Sequence, residues 1–220
     1  MALLKAVFSN APLEDIDRLA TSKSVLEVDD CRRNALHIAC QMDRLALVEM
    51  LIAKKMNVNA QDSNGWTPLH VAASNSNYAM CLALLNAKAI KPNTTNSDFN
   101  TPLVYICKRS AGTPMNRGEY HECLRVFIDK GADINTKNKN GETPLHYACL
   151  GANIDAVDFL LRHGADVNVA NKFLDLLISS HLITSHHITS HHITSHHITS
   201  HHITSHHISS HHISSHHISF

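Results

Sequence analysis

A nine-residue string recurs along this chain, and its period limits the available folds more than any other feature. Residues 65–73 read Gly-Trp-Thr-Pro-Leu-His-Val-Ala-Ala, and residues 141–149 read Gly-Glu-Thr-Pro-Leu-His-Tyr-Ala-Cys. Weaker copies occupy residues 34–40 and 101–107, and the four copies are offset by 33, 34 and 42 residues. This period predicts an array of small stacked units, each of which buries its apolar face against the next.

The string itself predicts the start of a short helix. Threonine can accept a hydrogen bond from the first-turn amides, and proline at the first helical position lacks an amide that would have no partner there. We therefore expect one helix from Pro68 to about Asn75 and another from Pro144 to about Leu150.

A second helix and a turn follow in each unit. Residues 45–52 and 157–161 carry apolar side chains at the spacings of a single helix face. Gly131 and Gly164 come next, where glycine suits the left-handed residue that ends a helix. A turn-rich segment such as residues 62–65 then leads into the following string.

The pattern Gly-x-Thr-Pro-Leu-His-x-Ala, followed by Gly-Ala-Asp-(Val/Ile)-Asn, resembles the ankyrin repeat across roughly residues 29–172. The resemblance implies an all-α solenoid of stacked helix–turn–helix units with short β-hairpin-like fingers. We predict repeats at residues 29–61, 62–95, 96–137 and 138–172. Asn34-Ala35 replaces Thr-Pro in the first of these, and Val104 replaces the histidine in the third.

Residues 1–28 are interpreted as a degenerate repeat that caps the N-terminal end of the array. An end unit needs a polar outer face and so departs from the consensus. The alternative is an unrelated helical cap with the same physical role. The apolar residues predict two helix faces, formed by Leu3, Leu4, Val7 and Phe8 and by Ile16 and Leu19.

The third repeat carries nine extra residues within the segment 108–118, between its two helices. Insertions in a solenoid fall on loops of one face, which is often a binding face. Since lengthening a loop costs little, a tolerated surface loop is the alternative. Lys108, Arg109, Arg117 and nearby Arg125 make the segment basic.

Composition excludes several classes of protein. The formal net charge is zero, so strong attraction to nucleic acid is not expected, and no run approaches the length of a membrane span. None of the six cysteines forms a Cys-x-x-Cys pair, which favours reduced thiols and a cytoplasmic or nuclear protein. We expect a monomer. Cys40, Cys107 and Cys149 share the repeat position of Ala73 and are expected to be small buried core residues, while Cys81 and Cys123 share a second-helix position.

The sequence indicates a structural role rather than a catalytic one for its repeated histidines and aspartates. His37, His70 and His146 share one repeat position, and the resemblance implies that they hydrogen-bond between neighbouring turns. No glycine-rich phosphate loop, His-Glu-x-x-His motif or nucleophile elbow is present. The aspartates of the fingers, at positions 29, 62 and 98, are expected to form turns. We therefore predict a protein that is not an enzyme and needs no cofactor.

A stacked array presents an extended surface whose chemistry comes from its non-consensus positions. The resemblance places these at the finger tips and on the exposed side of each first helix. Trp66 is the only tryptophan, and tryptophan and arginine are enriched among interface hot spots. Packing of Trp66 on the neighbouring finger is the alternative. The predicted partner-binding residues are Arg33, Gln41, Met42, Ser63, Asn64, Trp66, Ser74, Asn75, Asp98, Asn100, Lys108, Arg109, Lys139, Asn140, Glu142 and Leu150.

After Phe173 the expected string is missing, and a pentapeptide His-His-Ile-Thr-Ser or His-His-Ile-Ser-Ser fills residues 180–220. A period of five gives neither a helix nor a strand a continuous apolar face, so we predict a disordered low-complexity tail. The nucleotide unit CATCA encodes this cycle in every forward frame. We therefore interpret the tail as a translated simple-sequence repeat, or a gene-model error, that interrupts a longer array.

Two further predictions concern this C-terminal region. Leu174, Leu177 and Ile178 could form one helical turn, so residues 173–179 are predicted to act as a makeshift cap on the last repeat. Histidine is a common ligand of zinc, copper and nickel, but nothing in the tail fixes a ligand geometry. The tail is therefore expected to be only a weak chelator, through pairs such as His187 with His191 and His192 with His196.

These observations predict a non-enzymatic scaffold or adaptor that binds a protein partner through its fingers and concave inner helices. Two alternatives stay open. One is the regulatory ankyrin module of a truncated multidomain signalling protein. The other is a histidine-rich protein that responds to metal or pH.

Overall fold

The computed structural model describes residues 1–21, 23–108 and 117–172, and within them the protein is all-α. Residues 24–26 add a short 3₁₀ turn. The helices are α1 (Ala2–Phe8), α2 (Leu13–Leu19), α3 (Ala35–Gln41), α4 (Leu45–Ala53), α5 (Pro68–Ser74), α6 (Tyr78–Leu85), α7 (Pro102–Cys107), α8 (Arg117–Asp129), α9 (Pro144–Leu150) and α10 (Ile154–Arg162).

The helices stack in two rows, which makes the described part of the chain a solenoid. The first helices α1, α3, α5, α7 and α9 each pack on the next, and the second helices α4, α6 and α8 do the same. Within a repeat the two helices also pack together, as α5 does with α6. Every unit is thus buried against its neighbours, as the repeat period predicted.

The leucine of the recurring string fixes the register of the core. It lies at the second position of each first helix, and its exposed fraction is 0%, 1%, 0% and 2% at Leu36, Leu69, Leu103 and Leu145. Burying a leucine side chain contributes about 1.5–3 kcal/mol, so these residues favour one alignment of the stack. The helix bounds match the predictions, except that α5 ends at Ser74 rather than Asn75.

The N-terminal segment forms a helix pair that packs on the array through α1 and α3. Leu3, Val7 and Ile16 are fully buried, which confirms the predicted apolar faces in part. The prediction was wrong for Phe8 and Leu19, which are 49% and 36% exposed. Both residues occupy helix ends, where the chain turns away from the packed face.

Helix α8 includes the last two residues of the predicted insertion. It begins at Arg117 and runs for 13 residues, longer than any other described helix, so Arg117 and Gly118 are helical rather than part of a loop. Lys108 follows the end of α7 and is exposed. Residues 109–116, including Arg109, lie outside the described residues.

The predictions for the C-terminal region also lie outside the described residues. These are the cap at residues 173–179, with Leu174, Leu177 and Ile178, the tail at residues 180–220, and its histidines His187, His191, His192 and His196.

The string starts its helices by a reciprocal cap between threonine and histidine. In α5 the Thr67 Oγ1 accepts from the His70 amide, and the Thr67 amide donates to His70 Nδ1 at 3.1 Å. Helix α7 has Val104 instead of histidine, and the buried Thr101 hydroxyl has no hydrogen-bond partner within the described residues. Because an unpaired buried hydroxyl is costly, the third repeat loses stability at this position.

Replacing Val104 by histidine should restore this cap. The Val104→His imidazole would accept from Thr101 and could donate to the carbonyl of residue 142, which follows the pattern of His70 and the Asn100 carbonyl. We expect a gain of about 1 kcal/mol in the free energy of unfolding, measured by urea denaturation. Val104→Leu is the matched control, since it enlarges the side chain without a polar atom. A gain no larger for histidine than for leucine would contradict the capping argument.

Candidate functional site

Four fingers precede the first helices, and each is a tight hairpin-like turn of the same design. We call them fingers 1 to 4, at residues 29–33, 62–66, 96–100 and 138–142. The first residue of each donates its amide to the carbonyl of the fifth, as Asp62 does to Trp66 at 2.9 Å. Its side-chain oxygen accepts from the amides two and four residues on, which are Asn64 and Trp66 in finger 2. The turn is therefore held by its own side chain.

The prediction that aspartate forms these turns is confirmed for Asp29 and Asp62 and was wrong for Asp98. In finger 3 the side chain of Asn96 accepts from the amides of Asp98 and Asn100 at 3.0 Å. Asp98 lies at the tip and is exposed. Asparagine carries the same kind of acceptor oxygen as aspartate. Asn96, two residues before Asp98, therefore holds the turn of finger 3.

Backbone hydrogen bonds join the fingers into one row. The amide of Ser63 donates to the Cys31 carbonyl at 2.8 Å, and that of Ser97 donates to the Asn64 carbonyl at 2.9 Å. The same bond recurs from Lys139 to Asp98 and from Lys172 to Asn140, at 3.0 Å and 2.8 Å. Each finger tip is therefore fixed relative to the next, in register with the helices behind it.

Two of the repeated histidines, His37 and His70, tie their first helices to the next finger. His37 Nε2 lies 2.9 Å from the Trp66 carbonyl, and His70 Nε2 lies 3.0 Å from the Asn100 carbonyl. Burial lowers the pKa of His37 and lowers that of His70 to about 4, although the hydrogen bonds to these carbonyls oppose the shift. Both rings are therefore neutral at pH 7 and act as architectural hydrogen-bonding groups.

The predicted partner-binding residues differ in how exposed they are to solvent. Those exposed at finger tips or helix ends are Gln41, Ser63, Asn64, Ser74, Asn75, Asp98, Lys108, Lys139, Asn140 and Leu150. Those half-buried are Arg33, Met42, Trp66 and Glu142. Asn100 is only 8% exposed, and Arg109 lies outside the described residues.

Several of these side chains also bond within the protein. Arg33 pairs with Asp29 at 2.8 Å and donates to Gln41 at 2.9 Å. Asn75 donates to the Cys40 carbonyl across the repeat boundary at 3.3 Å. Met42 packs against the core. For these residues the side chain is already positioned by the fold.

Trp66 packs on the neighbouring repeat through Tyr105 of α7, rather than on the neighbouring finger as the alternative for it predicted. Its ring centroid lies 4.7 Å from that of Tyr105 and 5.9 Å from that of His70. Tyr105 in turn accepts a hydrogen bond from Asn96 at 2.8 Å. Such tilted aromatic contacts contribute about 0.5–1.5 kcal/mol beyond their buried area, so Trp66 links repeats whether or not it also touches a partner.

A polar cluster joins fingers 3 and 4 to α9. The Asn138 amide group donates to Asn100, Glu142 and the Tyr147 hydroxyl at 3.1, 2.9 and 3.0 Å. Burial raises the pKa of Glu142, but hydrogen bonds from Asn138, Tyr147 and Asn140 outweigh it, and the net shift is downward. Burial and the Glu142 contact raise the pKa of Tyr147 to about 12. Glu142 is therefore a charged, oriented group on the surface.

Sequence reasoning missed three aromatic residues near these positions. Tyr105 and Tyr147 occupy the position after the histidine of the string, and Lys108 Nζ lies 5.7 Å from the Tyr147 ring centroid. Phe99 is 54% exposed at the tip of finger 3. The sequence alone could have indicated Phe99, because it replaces the glycine that fingers 2 and 4 have at the same position, Gly65 and Gly141.

The described ranges contain no candidate metal site, and four of the six cysteines there are buried. No group of three or more histidine, cysteine, aspartate or glutamate side chains there could hold a metal ion. All six cysteines are free. Cys40 and Cys107 are buried as predicted, Cys81 and Cys123 are buried as well, and Cys31 is exposed. The prediction was wrong for Cys149, which is only half-buried. Burial raises the pKa of each buried thiol for which a shift is resolved, so those thiols are poor nucleophiles. No helix among these residues is long and apolar enough to cross a membrane.

Comparison with known proteins gives the same picture. A family model described as ankyrin repeats (3 copies) matches residues 3–96 and 90–171. A probable serine/threonine-protein kinase of Dictyostelium discoideum is 46% identical over 57 residues, which are 26% of this chain and 7% of that protein. The RelA-associated inhibitor of Mus musculus is 46% identical over 69 residues, which are 31% and 8%.

An ankyrin repeat-containing protein of Schizosaccharomyces pombe is 29% identical over 110 residues, which are 47% of each chain. The matched segments thus span less than half the length of each of these three relatives.

Proposed function

We infer that this chain, which belongs to the ankyrin-repeat family, is a non-enzymatic scaffold that binds a protein partner through its fingers and the inner side of its first helices. It acts as a monomer in the cytoplasm or nucleus and needs no cofactor. The observation that carries this proposal is the backbone-bonded row of fingers. Because the row fixes the backbone of the finger tips in advance, less freedom is lost on binding than with mobile loops.

The chemistry of this surface suits protein recognition. Exposed polar tips alternate with half-buried aromatic rings, from Ser63 and Trp66 to Lys108 beside Tyr147. Aromatic side chains with a polar end are enriched in interfaces because they bury area and still offer a hydrogen bond. The family is known for protein recognition, and the relatives include an inhibitor named for its association with another protein.

We expect Lys108→Glu to weaken partner capture about tenfold, since it replaces the exposed cation 5.7 Å from the Tyr147 ring centroid with an anion on the proposed surface. The full chain would be immobilised and its bound proteins quantified by mass spectrometry. Lys130→Glu is the matched control, because it makes the same charge change on an exposed lysine in the turn after α8. Equal capture by the two variants would count against the proposed surface.

A second candidate is a regulatory ankyrin module within a longer signalling protein. It is favoured by the kinase relative, of which the matching segment is only 7%. A longer transcript that encodes a catalytic domain in frame with these repeats would support it. Transcripts that all end as this chain does would remove it.

A further inference from the structure

Phe99 is a large apolar side chain held in the open at the tip of finger 3. It is 54% exposed, and its backbone φ is 62°. The equivalent residues Gly65 and Gly141 have φ of 76° and 79°, as the turn requires. A bulky residue with such a φ is a strained outlier, and strain of this kind concentrates at functional sites. The Phe99 ring is only partly buried in return for this strain.

The turn around Phe99 is rigid. The Phe99 amide donates to the Asn96 carbonyl at 2.9 Å, while the Asn96 side chain holds the two neighbouring amides. The Asp98 carbonyl accepts from the Lys139 amide, so finger 4 braces the tip. The backbone that carries the ring is therefore fixed before any partner arrives, which is a property of an interface anchor.

Charge beside the ring indicates what it would meet. Lys139 Nζ lies 5.7 Å from the Phe99 ring centroid and 3.8 Å from the Asp98 carboxylate, and both charged side chains are more than half exposed. We propose that Phe99 is the anchor by which this protein docks on a protein partner with an apolar pocket, and that an acidic group on the pocket rim pairs with Lys139. This inference rests on the proposed function and names the residue that carries the contact.

A protein pocket fits these features better than a lipid surface. One aromatic ring buries too little area to hold a protein on a membrane, and the net charge of the chain is zero. A pocket, in contrast, can enclose the whole ring and exclude water from the Lys139 pair. Buried aromatic anchors of this kind supply most of the affinity in many interfaces.

The test is site-specific photo-cross-linking in an extract of the source cells. The full chain would carry p-benzoylphenylalanine at position 99, or at position 55 as the matched control. Lys55 is exposed, has a φ of 60° and lies in the turn after α4, outside the fingers. Purified competitors would be the unchanged chain and its Phe99→Gly, Phe99→Tyr, Lys55→Gly and Lys108→Glu variants.

We expect a discrete cross-linked protein from position 99 and none from position 55. Phe99→Gly should need about 30-fold more protein than the unchanged chain to compete, whereas Phe99→Tyr and Lys55→Gly should compete within about threefold of it. Relief of backbone strain and loss of the half-exposed ring oppose each other in Phe99→Gly. Its Tm should therefore move by less than about 4 °C, so weaker competition cannot be attributed to unfolding.

Three results would overturn the inference. They are no cross-link at position 99, equal competition by Phe99→Gly and the unchanged chain, or competition by anionic phospholipid vesicles. If Phe99→Gly competes normally while Lys108→Glu does not, the proposed scaffold function stands and only the role of Phe99 fails. If both variants compete normally, the proposed surface fails as well.

Discussion

Replacing Gly65 by alanine should cost about 3 kcal/mol of the free energy of unfolding. Two effects add. At a φ of 76° an alanine is strained by about 1–2 kcal/mol. Its Cβ would also lie 3.0 Å from Asn96 Cα and from Ser97 N, both backbone atoms of the next finger. Backbone cannot move aside as a flexible side chain can, so overpacking adds about 1–3 kcal/mol.

The other glycines provide graded controls for this prediction. Gly131 has a φ of 81°, but a Cβ there would meet no heavy atom within 4 Å, so Gly131→Ala should cost only about 1 kcal/mol. A Cβ on Gly141 would lie 3.5 Å from Asn171 Cα, which is ordinary contact, so Gly141→Ala should resemble Gly131→Ala.

Urea denaturation followed by circular dichroism would measure all three variants. Similar losses for Gly65→Ala and Gly131→Ala would contradict the claim that fingers 2 and 3 are in close backbone contact. A larger loss for Gly65→Ala would support the row of fingers on which the proposed binding surface depends.

The helix pairs were predictable because their signals are local. Thr67 and Pro68 determine the start of α5 through groups within one turn, and the repeat period then places the copies. The same local logic correctly indicated the positive φ of Gly131 and Gly164. The fold class therefore followed from the sequence, and the family match agrees with it.

The candidate site was less predictable because its contacts cross between repeats. Asn100 and Trp66 occupy the same repeat position. Asn100, however, is buried and accepts a hydrogen bond from Asn138, while Trp66 packs on Tyr105. Which contact forms depends on the residue that the neighbouring repeat happens to supply. Repeat spacing gives a residue's position but not its partner.

Phe99 shows a different limit. The comparison of four fingers reveals that it replaces glycine, but only the backbone shows that it keeps the left-handed conformation of glycine. A substitution at that position could also have changed the turn type and buried the ring. The exposed, strained arrangement had to be observed before Phe99 could be proposed as an anchor.

As pH falls, this protein should lose stability before Asp29 and Glu142 are protonated. His70 has a pKa of about 4 in the folded state, against 6.5 for an unperturbed histidine, because burial disfavours its charged form. The unfolded chain therefore binds the proton first as pH falls. The contribution of His70 is fully present above pH 6.5 and is lost as pH falls from 6.5 towards 4.

The size of this effect follows from the shift. Between pH 6.5 and pH 4.5, His70 should remove about 2 kcal/mol of the free energy of unfolding, and His37, whose pKa burial also lowers, acts in the same direction. The carboxyls of Asp29 and Glu142 have lowered pKa values, because hydrogen bonds outweigh their burial. Their contributions to stability are lost only as pH falls below about 4.5. The pH range between 6.5 and 4.5 therefore reports the histidines and not these two carboxyls.

Urea titrations at a series of pH values would measure how the free energy of unfolding changes with pH. The fluorescence of the single tryptophan, Trp66, would be the signal. His70→Gln is the matched variant, since glutamine keeps a hydrogen-bond donor for the Asn100 carbonyl but does not titrate. Although this variant should start less stable, it should lose about 2 kcal/mol less than the unchanged chain between pH 6.5 and pH 4.5. Because histidines elsewhere in the chain are common to both proteins, their titration cancels in the difference. Parallel pH slopes would mean that His70 is not held neutral by burial, and its bond between α5 and finger 3 would then not be the acid-sensitive link.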